Sequence, residues 1–235
     1  MARHAQLNNI DHRDLRVVTA RGAAWGDDVM SALTFPGEFR NLQAHYPIVF
    51  QKSADGSFQP VALLGFQPGQ NLFLDERGWD ARYLPLAIER QPFLIGLSVD
   101  GEPMMHIDLD HPRVGHDQGE PLFRTHGGTT EFLDRMASTL QALHAGLQAV
   151  PGFVDALLRH ELLESFVLDI TLDDGAQHRL AGFYTINEER LARLDDEALS
   201  ALHGPGHLEA IYMAIASLSR FRDLIERVRR AQGHA

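Results

Sequence analysis

The hydrophobic pattern of this chain changes period at Thr129. Before that residue, short apolar runs alternate with turn signals, as strands do. After it, apolar residues recur every three or four positions, as on amphipathic helices. A chain of 235 residues with its strands gathered in one half and its helices in the other does not follow the βαβ alternation of a parallel sheet. The expected fold class is α+β, an antiparallel sheet built from hairpins with C-terminal helices packed on it.

The strand-rich half is punctuated clearly. Residues 45–51 (HYPIVFQ) and 58–66 (FQPVALLGF) flank Asp55-Gly56, a hairpin signal. Residues 93–99 (FLIGLSV) and 104–109 (MMHIDL) flank Asp100-Gly101 in the same way. Residues 15–18 and 71–74 read as further short strands. Pro85 and Pro92 argue against a long helix between the hairpins. Residues 110–128, rich in Gly, Pro, His and Asp, read as a loop.

In the second half, Thr130 is the expected N-cap, with Glu131 in the first turn. Phe132, Leu133, Met136, Leu140, Leu143, Leu147 and Val150 then keep helical spacing, and Pro151-Gly152 is expected to end that helix. A short helix follows from Phe153. Residues 166–172 and 178–186 form a late hairpin around Asp173-Asp174-Gly175. This hairpin is expected to join the early sheet. That makes residues 1–235 a single α+β domain, strand-rich over 15–110, a loop over 110–128 and helix-rich over 129–232, with the late hairpin at 166–186. Thr185 with Glu188 fits a capping box, and Asn187 competes with it. Asp195 is expected to cap a helix that Gly204-Pro205-Gly206 stops. Residues 208–230 read as one helix whose stripe carries Leu208, Ile211, Ile215, Leu218, Phe221, Ile225 and Val228. Such a stripe suits a homodimer interface.

Composition narrows the chemistry. Thirty-two acidic residues against 21 basic ones give a net charge of −11, which disfavours nucleic acid and anionic lipid. The absence of cysteine excludes disulfides, thiolate metal sites and cysteine nucleophiles. No apolar run is long enough to span a bilayer, and no signal-peptide h-region precedes the first elements, so a cytoplasmic protein without membrane insertion is expected.

Two constellations carry possible chemistry. The first is an aromatic and cationic group: Trp79, Tyr83, Arg82 and Arg90, with His45 and Tyr46 on the neighbouring hairpin and Asn71 adding an amide. Aromatic faces beside arginine bind carboxylates, sugars or peptide backbone, so a small molecule, sugar or peptide is the expected ligand. The competing reading is sheet-edge packing with surface ion pairs. The second is His106-Ile107-Asp108, in which strand alternation places His106 and Asp108 on one face, with His111 just beyond. Imidazole and carboxylate suit one divalent metal, iron or zinc, and His116 and His126 lie on the following loop. The competing reading is a polar strand edge running into a surface loop, with no cofactor. Gly127-Gly128-Thr129-Thr130 leads into a helix but lacks the lysine and spacing of a P-loop. Ser217 and Ser219 lie in helical sequence without a nucleophile-elbow motif.

Three stretches together resemble the SapC family of bacterial proteins. They are His45-Tyr46-Pro47-Ile48-Val49-Phe50 with Pro60-Val61-Ala62-Leu63-Leu64-Gly65; Asn71-Leu72-Phe73, Gly78-Trp79, Tyr83-Leu84-Pro85 and Arg90-Gln91-Pro92-Phe93; and Leu180-Ala181-Gly182-Phe183-Tyr184-Thr185-Ile186, followed by Gly206-His207-Leu208 and Ile211-Tyr212. The resemblance implies a link to surface-layer biogenesis and partner proteins of a halogenase or TonB-receptor pathway. It carries over no catalytic residues. The expected function is a non-catalytic accessory or ligand-binding protein of a cell-surface pathway, with a small metal-dependent enzyme as the alternative.

Overall fold

The structure is a computed structural model that describes residues 3–97, 101–171 and 177–233. Ser98, Val99 and Asp100 of the second expected hairpin, and the expected turn at Asp173-Asp174-Gly175 with Leu172, lie outside the described residues. In chain order the strands are β1 (His4–Gln6), β2 (Arg16–Val17), β3 (Ser31–Leu33), β4 (Ile48–Lys52), β5 (Phe58–Leu63), β6 (Leu74–Asp75), β7 (Gly78–Trp79), β8 (Phe93–Leu97), β9 (Pro103–Asp108), β10 (Val114–Gly115), β11 (Glu120–Pro121), β12 (Leu163–Thr171) and β13 (Gln177–Ile186). The helices are α1 (Phe39–Leu42), α2 (Leu86–Glu89), α3 (Glu131–Gln148), α4 (Val150–Arg159), α5 (Glu188–Leu191), α6 (Asp196–His203), α7 (His207–Ser217) and α8 (Arg220–Gly233). Every strand pairing is antiparallel, and the fold is α+β. Two compact units divide the chain. One comprises Met1–Asp28, Leu74–Asp80 and Leu86–Ala145; the other comprises Val29–Phe73, Ala81–Pro85 and Gly146–Ala235.

The first unit is organised by the β8–β9 hairpin, with β1 added to the far side of β9. Phe93 sits opposite Ile107, and both are fully buried. The core that they enter also takes Leu15, Val17 and Leu122, and the face of α3 that carries Phe132, Leu133, Met136 and Leu140. Burying each such side chain contributes about 1.5–3 kcal/mol. Thr130 caps α3 as expected, its hydroxyl accepting the Leu133 N–H at 3.3 Å. Residues 110–128 are more ordered than a loop: β10 and β11 flank β2 in a three-stranded sheet. Strands of two residues are too short to show a period in the sequence.

The second unit holds a five-stranded sheet of order β12-β13-β4-β5-β3. The late hairpin joins the early one through Tyr184 opposite Phe50. Helix α7 is tied to this sheet where the Ile48 N–H donates to Ser217 Oγ at 2.8 Å. Phe39, Phe50 and Phe153 are fully buried, with Phe153 edge-on to Phe39 at 5.9 Å.

Three sequence expectations are corrected here. Pro151-Gly152 does not end a helix. Helix α3 stops at Gln148, and Pro151 occupies the first turn of α4, where its missing N–H sacrifices no bond. Asn187, not Thr185, caps α5, accepting the Arg190 N–H at 2.7 Å, while Thr185 belongs to β13. The expected helix over 208–230 is broken into α7 and α8. The Ser217 and Ser219 hydroxyls donate back to the Ala214 and Ala216 carbonyls and compete with helical pairing there. Phe221, Leu224 and Val228 are buried within the chain itself.

Candidate functional site

The second unit gathers four of the sequence-predicted binding residues. After α1 the chain turns, with the His45 and Tyr46 N–H groups both donating to the Leu42 carbonyl. Tyr46 is thereby driven fully into the core, its ring 4.6 Å from that of Phe73. Its hydroxyl donates to the Tyr83 carbonyl. Asn71 shapes the approach to Phe73, its side-chain oxygen accepting the Phe73 N–H at 3.0 Å. The Tyr83 hydroxyl donates to Glu38 Oε1 at 3.1 Å, and Thr34 donates to Glu38 Oε2 at 2.7 Å. Thr34 and Glu38 are buried, so this carboxylate anchors Tyr83 from within.

One cation overlies this aromatic floor. The Arg227 guanidinium of α8 stacks on Phe73, its carbon 4.3 Å from the ring centre, and donates to the Leu72 carbonyl at 3.4 Å. Arg220 lies two helical turns earlier, hence on the same side of α8, and pairs with Asp223 at 2.8 Å. Arg82 precedes the tethered Tyr83 and is exposed. His45 is half-buried beside Tyr46 at a ring separation of 5.9 Å. Burial lowers its pKa first, and the positive charges of Arg82, Arg220 and Arg227 lower it further.

The remaining predicted residues are placed differently. Trp79 and Arg90 belong to the first unit. Trp79 pairs with Leu74 across the β6–β7 ribbon, and Arg90 donates to the Phe93 carbonyl at 2.7 Å. Tyr46 supports the floor from the core rather than forming an exposed wall. Arg220, Arg227, Glu38 and Thr34 were not among the predicted residues. The seven-residue spacing of the two arginines was visible in sequence, but not what that helix side would face.

In the first unit, His106 and Asp108 flank buried Ile107 on β9, as strand alternation requires. The His106 ring lies against Gly96 on β8, where a Cβ would come within 2.5 Å of Nε2. Asp108 Oδ1 accepts the Asp110 N–H at 3.1 Å, and His111 Nδ1 accepts the Arg113 N–H at 3.2 Å. Burial lowers the His111 pKa, followed by the Arg113 charge, with Asp108 and Asp27 opposing. Among the described residues, no three His, Cys, Asp or Glu side chains are grouped to hold a metal ion. No helix among the described residues is long and apolar enough to cross a membrane.

The chain matches the family model described as SapC over residues 7–224. No curated protein and no solved structure matches it.

Proposed function

The chain belongs to the SapC family, and from that premise we propose that it is a non-catalytic accessory protein that binds a small-molecule, sugar or peptide ligand in a bacterial cell-surface pathway. The binding site is the His45, Asn71 and Tyr83 surface of the second unit, backed by Tyr46 and Phe73 and flanked by Arg82, Arg220 and Arg227. The single observation that carries this reading is the grouping of these residues on a floor held from within by a hydrogen-bond chain, from buried Thr34 through buried Glu38 to Tyr83. A site whose side chains are fixed by such contacts loses little freedom on binding, which favours recognition.

The experiment is native mass spectrometry of untagged protein purified from its host, followed by the same measurement on Tyr83→Phe and His45→Ala. The expected result is a retained molecule that is depleted in both variants while both remain folded. Full retention in both variants would move the site elsewhere. A chain that retains nothing and shows no thermal shift with any sugar, peptide or metabolite would end the binding reading.

A further inference from the structure

We infer that the site of the second unit recognises its ligand through an anionic oxygen group, carboxylate or phosphate, received between Arg82, the α8 arginines and His45. This deepens the binding reading above and rests on it. Tyr46 links the parts: it sits edge-on to Phe73, the ring that Arg227 covers, and its hydroxyl donates to the Tyr83 carbonyl, one residue beyond Arg82. The backbone beside Arg82 and the ring beneath Arg227 thus both rest on one core side chain, from two distant stretches of sequence. Arg220 extends the same side of α8 by two turns.

The protein carries a net charge of −11, so a local gathering of guanidinium groups runs against its average surface. Arg227 is held over the Phe73 ring and bonded to the Leu72 carbonyl, and a guanidinium positioned in this way can turn its remaining N–H groups to an oxyanion. Asp223 faces Arg220 and takes up part of its charge. His45 is the titratable member. Partial burial, followed by three cations, lowers its pKa, and an arriving anion offsets the charge of those cations. Binding therefore takes up a proton at His45 and tightens as pH falls, down to the pH at which the anion itself is protonated.

The test titrates the full chain with inorganic phosphate in one arm and with succinate in the other, following the His45 ring signals by NMR. The expected result in at least one arm is saturable binding with an upward shift of the His45 pKa. Arg82→Gln, an exposed substitution, should weaken that binding about tenfold, the loss of one charge-assisted hydrogen bond. Preference for one arm assigns phosphate or carboxylate as the recognised group. Binding unchanged by Arg82→Gln, or no His45 response in either arm at millimolar concentration, would overturn the inference. If the retained molecule of the preceding experiment is uncharged and is lost in His45→Ala, the binding reading stands and the anion inference alone falls.

Discussion

The guanidinium carbon of Arg227 lies 4.3 Å from the centre of the Phe73 ring, and the ring of Tyr46 lies 4.6 Å from Phe73 on an inclined plane. Phe73 is thus covered by a cation and supported by a second aromatic ring, at 2% exposure. The pair joins α8 to the segment at 71–73.

A double-mutant cycle measures that contact. Arg227→Ala and Phe73→Leu each lose packing, but only their coupling reports the stacking itself. The expected coupling is about 1 kcal/mol in urea denaturation, within the range for a partly desolvated cation–π pair. Coupling indistinguishable from zero would mean that the two side chains are neighbours without energetic consequence.

Much of the fold was legible. The two early hairpins, the α3 stripe from Phe132 to Leu143, and the late hairpin's entry into the early sheet all follow from alternation and turn chemistry. These are long, strongly periodic segments. What was hidden has physical reasons. The β10-β2-β11 sheet uses strands of two residues, below any detectable period. The α7–α8 break comes from serine hydroxyls turning back on their own backbone, which leaves the apolar stripe intact. For the candidate site, His45, Tyr46, Asn71 and Tyr83 were legible as an aromatic, polar cluster. The partnership with Arg220 and Arg227 was not, because it joins residues about 150 positions apart.

The buried pair in the first unit should behave asymmetrically. Asp27 and Arg113 are 0% and 1% exposed and meet at 2.6 Å, and Arg113 also donates to the Val18 and Ala20 carbonyls. Asp27→Ala leaves a buried guanidinium without its counterion and should cost about 3–5 kcal/mol. Asp27 also accepts from Arg21 at 3.4 Å, so Asp27→Ala combined with Arg113→Met removes the more deeply buried of the two stranded charges and should cost less than the Asp27 single variant. Chemical denaturation of both variants decides it. A double variant less stable than Asp27→Ala would show that the two backbone bonds of Arg113 outweigh its charge.

Glycine at 119 is required by both backbone and space. Its φ is +99°, and a Cβ there would lie 2.2 Å from the Val17 carbonyl oxygen, at the junction of β2 and β11. Gly119→Ala should destabilise by about 1–3 kcal/mol. Gly152, in the first turn of α4, has nothing within 4 Å of its would-be Cβ, so Gly152→Ala should gain about 0.5 kcal/mol. Equilibrium unfolding of the two variants, compared side by side, should therefore show opposite signs. Equal effects would show that the β2–β11 junction yields without cost.

Acid should destabilise the fold through its histidines before it reaches the carboxylates. His45, His111 and His207 all have pKa values lowered from the ordinary 6.5, burial being the leading cause in each case. The unfolded chain therefore binds more protons than the native one as pH falls below 6.5, and stability rises with pH across that window. The full contribution is present above 6.5 and is lost progressively as pH falls through the native values. His207 illustrates the cause: its Nδ1 is buried without a hydrogen-bond partner, and its ring packs edge-on against Phe153 at 5.3 Å, so protonation must charge an unsolvated site. The urea midpoint should accordingly be lower at about pH 5.5 than at about pH 7.5. Substituting His207→Gln should shrink that difference, and His45→Gln should shrink it further. A saturating anion should also shrink it in the wild-type chain, because it favours the protonated His45. A midpoint independent of pH across this range would show that these imidazoles are solvated well enough to charge in place.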